Sequence, residues 1–285
     1  MKIDLLGTAA YERVPALFCN CPACRLARKE KGKYIRTNAQ ALIDDTLLID
    51  FGMDNYWHSI VNGKDFSLVQ NILLTHAHDD HFTNEEFTMR GSCYGHNLHY
   101  ENVPIYGNEE CYEKFLKNEE VYSCNFNRIK AFQTIRLGKY TAVSLPAHHG
   151  TRDPLCYIIK DEKNTIFYSL DTGFLSSETY EWIGRQEYVF DLVICDCTFG
   201  AQDIEDGGGH MSLRGNVKHR QILKELGCVS QRTKWVITHF SHNGLCINGE
   251  AVTYQTLESM ANERGMELAY DGMTIEINQG GYITK

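Results

Sequence analysis

The sequence predicts an α/β fold in which helices cover mixed β-sheets. Short apolar runs typical of strands alternate with segments of helical periodicity along the chain. Several apolar runs end in histidine or aspartate, which places polar side chains at one edge of a layered fold. No linker, repeat or low-complexity segment interrupts residues 1–285, so we expect a single domain.

The elements follow from these patterns in chain order. An early pair of strands flanks a turn at Asp44 and Asp45, and an apolar strand then runs into His76. Strands are predicted within 40–52, 68–76, 103–107, 135–149, 155–171, 190–197, 234–240 and 273–277. Helices are predicted within 22–32, 108–119, 177–186, 212–227 and 251–265. The first half is therefore expected to be rich in hairpins and the second half in strand–helix units.

Composition narrows the class of protein. The 285 residues are 43% apolar and include eleven cysteines and twelve histidines. No long apolar window is present, and Asp4 interrupts the only apolar run near the start, so we expect neither a membrane helix nor a secretory signal and place the protein in the cytoplasm. A net charge of −9 without a basic stripe argues against general nucleic-acid binding.

The densest motif is His76-Ala77-His78-Asp79-Asp80-His81, directly after an apolar strand. In an extended segment His76 and His78 project to the same side, while a turn at Asp79 swings Asp80 and His81 toward a second ion. Four ligands in six residues exceed what one catalytic zinc with an open position needs. The alternative interpretation is a solvated polar loop. The spacing and the strand context favour a dinuclear metal site.

A second cluster, Cys19-Asn20-Cys21-Pro22-Ala23-Cys24, precedes a helical stretch. Three thiolates this close can occupy three corners of a tetrahedral zinc site, with a fourth ligand from elsewhere. The alternative is a chance cluster of core cysteines, but Asn20 and Pro22 indicate a turn. The other eight cysteines show no ligand spacing.

The HxHxDH motif resembles the signature of the metallo-β-lactamase superfamily, whose fold is a four-layer αβ/βα sandwich of two mixed sheets. The resemblance implies a later histidine, a bridging aspartate and a last histidine, which match His149, Asp171 and His239. His148 is a rival for His149, which we prefer because Gly150 follows it. The implied grouping is His76, His78 and His149 for one ion, Asp80, His81 and His239 for the other, and Asp171 between them.

The cysteine motif resembles one subgroup of that superfamily, the PhnP-like phosphodiesterases. Matching features are Gly7-Thr8, the CxCxxC cluster and the segment Thr238 to His242, in which the resemblance makes His242 the fourth ligand of a structural zinc. The accessory protein PqqB is similar in carrying N-terminal cysteines, so this cluster alone does not define function.

His210 follows the glycine run from Gly207 to Gly209 and precedes Ser212. A lone histidine here would more often be a surface residue. The subgroup resemblance implies that it contacts the substrate phosphate and acts as general acid, with the glycines as a hinge. Asp50 and Asp196 are candidate acceptors for histidine ring N–H groups, or equally ordinary turn aspartates.

The expected function is thus that of a metal-dependent hydrolase, most specifically a phosphodiesterase for a small cyclic or nucleotide-like phosphodiester. A metal-bridging hydroxide would attack phosphorus, with Asp80 and His210 counted as catalytic residues. The expected cofactors are two divalent ions (Mn, Zn or Fe) and one structural Zn. The expected partner is a small anionic molecule and not a membrane, and a homodimer is compatible with the sequence.

Alternatives of other kinds remain open. The same scaffold could hydrolyse a lactone, thioester or β-lactam, or could serve as a non-catalytic accessory protein. A redox diiron enzyme would need a glutamate in place of His78. We also expect the segment 85–106 to wall the pocket, with Arg90 either touching phosphate or lying on the solvated surface.

Overall fold

In this computed structural model, two mixed β-sheets pack face to face and helices cover their outer faces. The structure describes residues 1–118, 123–205, 208–278 and 281–285. The strands are β1 (Lys2–Gly7), β2 (Gln40–Ile43), β3 (Leu47–Ile49), β4 (Asn71–Leu73), β5 (Val103–Gly107), β6 (Cys124–Arg128), β7 (Thr134–Leu137), β8 (Tyr140–Pro146), β9 (Leu155–Lys160), β10 (Thr165–Ser169), β11 (Leu192–Asp196), β12 (Lys234–Thr238), β13 (Cys246–Ile247), β14 (Glu250–Ala251), β15 (Glu267–Leu268), β16 (Met273–Asn278) and β17 (Gly281–Thr284). The α-helices are α1 (Pro22–Glu30), α2 (Asn55–Val61), α3 (Glu109–Phe115), α4 (Ser177–Arg185), α5 (Leu213–Glu225) and α6 (Tyr254–Asn262).

The first sheet, within the described ranges, has the order β17-β16-β1-β2-β3-β4-β5-β6. Its strands are antiparallel up to β3 and parallel from β3 to β6. The predicted hairpin is confirmed: β2 and β3 pair around Asp44 and Asp45, whose φ angles of 45° and 59° give the left-handed turn that fits strand twist. The parallel part shows that the first half is less hairpin-rich than expected.

The second sheet, over the same described ranges, has the order β15-β12-β11-β10-β9-β8-β7. Strands β10, β11, β12 and β15 are parallel neighbours, while β7 to β10 form antiparallel pairs. The helices α4 and α5 lie in the connections between the parallel strands, as strand–helix–strand crossovers require. The strand–helix units expected for the second half are confirmed.

Three apolar cores separate the layers. Between the sheets lie side chains of both, for example Ile49 and Leu73 opposite Tyr157 and Ile194. A second core packs the other face of the second sheet against α1, α4, α5 and α6. A third, smaller core covers the outer face of the first sheet and includes Cys111 of α3. This gives the predicted four layers, helix, sheet, sheet and helix.

The predicted helices are confirmed with shorter ends. The predicted helix 108–119 is observed as Glu109–Phe115, and its last residue, Glu119, lies outside the described residues. Helix α2 was not predicted because its buried face carries Asn55 and His58 rather than an apolar stripe. Strand β1 was also missed, although it lies in the interior of the first sheet, between β16 and β2.

The fold brings four strand ends together. His76 follows β4 by three residues, His149 follows β8 by three, Asp171 follows β10 by two, and His239 follows β12 directly. A hydrogen bond of 2.6 Å from the Tyr157 hydroxyl to the Leu74 carbonyl ties the two sheets beneath this edge. No helix among the described residues has the length and apolar character needed to cross a membrane.

Candidate metal centre

Asp171 joins two sets of side-chain donors. In the first set, Asp171 Oδ2 lies 3.1 Å from His76 Nε2 and 3.4 Å from His149 Nε2. His78 Nδ1 closes this set, 3.0 Å from His76 Nε2 and 3.2 Å from His149 Nε2. All four donor atoms lie within 4.8 Å of one another. Ligands around a tetrahedral zinc are spaced by roughly 3.4 Å, so this set could hold one ion.

The second set uses the same Asp171 oxygen. His81 Nε2 lies 3.3 Å from Asp171 Oδ2, 3.2 Å from Asp80 Oδ2 and 3.2 Å from His239 Nε2. These four side chains are buried, and their donor atoms also lie within 4.8 Å of one another. The structure therefore places Asp171 between two donor sets that could each bind a divalent ion.

The protonation states of His76, His149 and Asp171 suit a cation. Burial, together with the neighbouring His81, lowers the pKa of His76 to about 3, and burial lowers the pKa of His149, so both rings are neutral at pH 7. Burial would raise the pKa of Asp171, but His239 and other histidines outweigh it and hold that pKa well below its usual range. The Oδ1 atom of Asp80 is buried without a hydrogen-bond partner. A buried carboxylate oxygen left unpaired is costly, so these residues fit a bound cation.

Three residues at this edge have left-handed backbone conformations. The φ angles are 67° for Asp50, 51° for Asp171 and 65° for His239. Each residue stands at or just beyond the end of a strand, where the turn aims its side chain into the site. Left-handed φ is uncommon for residues other than glycine and tends to occur where function requires it.

Carboxylates lie beside the outer ring nitrogens of His81 and His239. Asp50 Oδ2 lies 2.7 Å from His81 Nδ1, and Asp196 Oδ2 lies 3.4 Å from His239 Nδ1. Burial would lower the pKa of His81, but the carboxylates of Asp80 and Asp50 raise it well above its usual value. Asp50 and Asp196 are both 0% exposed, which their interpretation as ordinary turn residues does not explain. Such contacts fix the ring orientation of metal-binding histidines.

Two threonine hydroxyls in the site were not predicted. Thr75 Oγ1 donates to Asp50 at 2.9 Å and lies 3.1 Å from His76 Nδ1. Thr198 Oγ1 donates to Asp196 at 2.8 Å and lies 2.8 Å from His239 Nδ1. Thr75 directly precedes the histidine motif, and this adjacency was the available signal for it.

His210 lies beside the second donor set. Its Nδ1 atom is 3.0 Å from Asp171 Oδ1 and 3.1 Å from Asp196 Oδ2, and 23% of its side chain is exposed. Burial would lower its pKa, but hydrogen bonds to Asp171 and Asp196 raise the pKa of His210 to about 11. Of the preceding glycines, Gly207 lies outside the described residues, while Gly208 and Gly209 have φ angles of 69° and 129°. Those conformations favour glycine, and they place His210 at the site.

His148 and Arg90 lie apart from the donor sets. The His148 side chain is exposed, and its backbone is held by Thr172 and Gly173. Arg90 donates to the carbonyls of Ser123 and Tyr100 and lines a separate cavity of about 260 Å³ on the outer side of the first sheet. The geometry therefore favours His149 over His148 as the donor, and the contacts of Arg90 are structural.

Gly52 lets two loops approach closely beside the site. A Cβ atom at this position would lie 1.9 Å from the carbonyl oxygen of Asp80. No side chain fits there without moving the backbone. The loop after β3 can therefore support the loop that carries Asp80 only because residue 52 is glycine.

The cysteine cluster forms a separate group with His242. His242 Nδ1 lies 3.3 Å from Cys21 Sγ and 3.6 Å from Cys19 Sγ, and Cys24 completes four donors within 4.8 Å. Cys21 also caps the N-terminus of α1. Three thiols and one imidazole are a donor set that zinc prefers. Its histidine stands three residues after His239, so one short segment reaches both groups.

Comparisons with known proteins bear on the fold and the family. No curated protein matches the sequence. The solved structures similar to it include zinc-bound PqqB from Methylobacterium extorquens, with 15% identity, a TM-score of 0.71 and coverage of 97% of this chain and 100% of that one. A diphosphatase of the PhnP family has 18% identity, a TM-score of 0.68 and coverage of 97% and 98%. The short form of human tRNase Z has 15% identity, a TM-score of 0.63 and coverage of 98% and 100%.

These identities establish a shared fold and leave the substrate open. The beta-lactamase superfamily domain model matches residues 46–240, which contain all seven residues of the two donor sets. That match covers well over half of the 285 residues. With its two mixed sheets and its donors at their common edge, this chain belongs to the β-lactamase superfamily and has the metallo-β-lactamase fold.

Proposed function

We propose that this protein is a dinuclear metal-dependent phosphodiesterase acting on a small, anionic phosphodiester. The observation that carries the proposal is that a single oxygen, Asp171 Oδ2, lies within 3.4 Å of donors from both sets. A shared carboxylate is the arrangement with which proteins hold two divalent ions close together. His76, His78 and His149 would hold one ion, and Asp80, His81 and His239 the other.

When bound, the two divalent ions (Mn, Zn or Fe) would supply an activated water and neutralise charge on the phosphate. They also explain how a chain with a net charge of −9 could bind an anion. Cys19, Cys21, Cys24 and His242 would hold a structural Zn away from the reaction. Asp80, the other carboxylate of the second set, has its Oδ1 atom free for a second contact.

His210 is the proposed general acid. Its Nδ1 atom is held by Asp171 and Asp196, so Nε2 is the ring nitrogen left to protonate a departing oxygen. Ions bound to Asp171 would withdraw negative charge from His210 and bring its high pKa down toward the working range. The residual exposure of the ring is consistent with access to substrate.

The similarity to the PhnP-family diphosphatase supports phosphorus chemistry as the reaction class. We further propose that residues 1–285 act as one unit, since the donors come from both sheets. The protein would work in the cytoplasm on a small molecule. It would do so either as a monomer or as a homodimer. Because the fold is also similar to that of tRNase Z, the assay includes an RNA substrate.

The test is hydrolysis of bis-p-nitrophenyl phosphate by metal-free protein reloaded with Mn²⁺ or Zn²⁺. Parallel assays use a lactone, a thioester and a precursor tRNA, and Asp171→Asn is the matched inactive variant. We expect phosphodiester turnover that depends on metal and on Asp171. Absence of that turnover, with activity on a lactone or thioester, would replace this proposal with carbonyl hydrolysis.

A second candidate is a non-catalytic accessory protein, which the similarity to PqqB favours. This candidate predicts full metal binding without turnover of any of the four substrates. Metal content measured on the same samples separates the two, because the phosphodiesterase proposal requires both the ions and the activity.

A further inference from the structure

The loop that carries His78 is held from outside by a lysine of α3. Lys114 Nζ donates to the carbonyl of Ala77 at 2.9 Å and pairs with Asp79 Oδ1 at 2.5 Å. The ammonium group thus contacts the residues on either side of His78. Within the described part of the chain, Lys114 is the one lysine or arginine found in contact with residues 76–81.

His78 is the donor that most needs such support. Its side chain is exposed, whereas His76 and Asp171 are buried. Its own contacts are with the imidazoles of His76 and His149, which are themselves donors. The backbone makes one tight turn here, in which the His78 carbonyl accepts hydrogen bonds from His81 and Phe82. Lys114 instead contacts the Ala77 carbonyl and the Asp79 carboxylate, two groups that these backbone hydrogen bonds do not involve.

The lysine itself is well anchored. Asn84 Nδ2 donates to the carbonyls of Lys114 and Phe115, which fastens the end of α3 to the segment after the loop. The ammonium lies 5.6 Å from the centre of the buried Phe82 ring, and only 22% of the Lys114 side chain is exposed. The tether therefore joins the loop to α3, which packs against the outer face of the first sheet.

We propose that Lys114 is a positioning residue that preorganises the loop of His78 and thereby sets the affinity of the first donor set for its ion. The inference rests on the proposed dinuclear site. Mutation of a residue that orients a metal ligand typically lowers metal affinity by about 10–100-fold. A lysine near a cation site is electrostatically unfavourable, so a positional role and a charge role predict opposite effects of its removal.

The test is titration of metal-free protein with Co²⁺, followed by visible absorption. Thiolate-to-metal absorption reports the cysteine group, and the weaker bands of nitrogen and oxygen sites report the histidine sets. We expect Lys114→Met to weaken binding at one histidine site by about 10–100-fold while the thiolate absorption is unchanged. Lys117→Met, an exposed lysine three residues further, is the matched control and should titrate like wild type.

Two further variants distinguish the roles. Lys114→Arg retains both contacts and should stay within a few-fold of wild type. The double variant Lys114→Met, Asp79→Asn removes both charges of the pair and also lacks the tether. Its metal affinity at the histidine site should therefore stay as low as that of Lys114→Met. Wild-type affinity or tighter binding in Lys114→Met overturns the inference, as does recovery in the double variant. Absence of any histidine-site band in wild-type protein would overturn the dinuclear site itself, together with the inference.

Discussion

The carboxylate of Asp50 lies 2.7 Å from Nδ1 of His81, and both side chains are 0% exposed. This contact fixes which nitrogen of His81 faces Asp171, and it depends on the left-handed backbone of Asp50 after β3. The geometry of the candidate metal centre therefore depends on the residues behind the donors as much as on the donors themselves.

Replacing Asp50 by Asn should weaken metal binding by about 10–100-fold, because the amide is a poorer acceptor for the His81 ring. Equilibrium dialysis with Mn²⁺ or Zn²⁺ and elemental analysis would measure this. Asp54→Asn is the control, since Asp54 lies in the same loop but binds Arg13. Equal affinities for wild type and Asp50→Asn would refute the orienting role.

His210→Ala should lower kcat by about 10²–10⁴-fold while leaving the metal content unchanged. The loss should be larger for alkyl than for p-nitrophenyl leaving groups, because a poor leaving group depends more on protonation. His148→Ala is the control, as this neighbouring histidine is exposed and lies outside the donor sets. A loss that is the same for both leaving groups would argue against general-acid catalysis.

Cys24→Ser should remove the proposed structural zinc, because a buried hydroxyl is a poor zinc ligand. Thermal unfolding should shift down by about 2–4 °C for each kcal/mol lost. Elemental analysis should show one fewer zinc per chain. Cys93→Ser changes an exposed cysteine outside the cluster and should alter neither quantity. Retention of all zinc in Cys24→Ser would contradict the four-donor site.

His219 gives a pH-dependent contribution to stability. It is fully buried, its Nδ1 atom lies 2.6 Å from the Tyr180 hydroxyl, and burial lowers its pKa to about 3. Because the folded state binds this proton less readily than the unfolded chain, His219 destabilises the fold as pH falls below about 6.5. Between pH 7.5 and 5 this amounts to about 2 kcal/mol.

His219→Gln should lack that contribution. Urea unfolding of both proteins at several pH values would show the difference in unfolding free energy, wild type minus variant, decreasing by this amount toward pH 5. A difference that does not depend on pH would mean that His219 titrates normally in the folded protein.

Much of this fold and candidate site could be predicted because part of the information is local, while the family resemblance supplied His149, Asp171, His239 and His242. The HxHxDH motif follows an apolar strand, and the hairpin at Asp44 and Asp45 has turn residues between apolar runs. The missed features depend on tertiary contacts. Helix α2 buries His58 through hydrogen bonds to Thr37 and Gln40, which no periodicity reveals.

The same reason applies to two aspartates. From the sequence, Asp50 and Asp196 were equally candidates for turn residues and for acceptors of histidine N–H groups, because their partners, His81 and His239, follow other strands. The hydroxyls of Thr75 and Thr198 contact both those carboxylates and the rings of His76 and His239. These contacts form only when folding brings the strand ends together, so no pattern along the sequence predicts them.

The separation of the donors along the chain has a consequence for biosynthesis. His81 meets His239, 158 residues later, and Cys19 meets His242, 223 residues later. A ribosome must therefore complete most of the polypeptide before either group of donors is whole. The second donor set and the cysteine group become complete within the same few residues of translation, whereas the first donor set is already complete at Asp171, so a growing chain could hold at most one of the proposed ions.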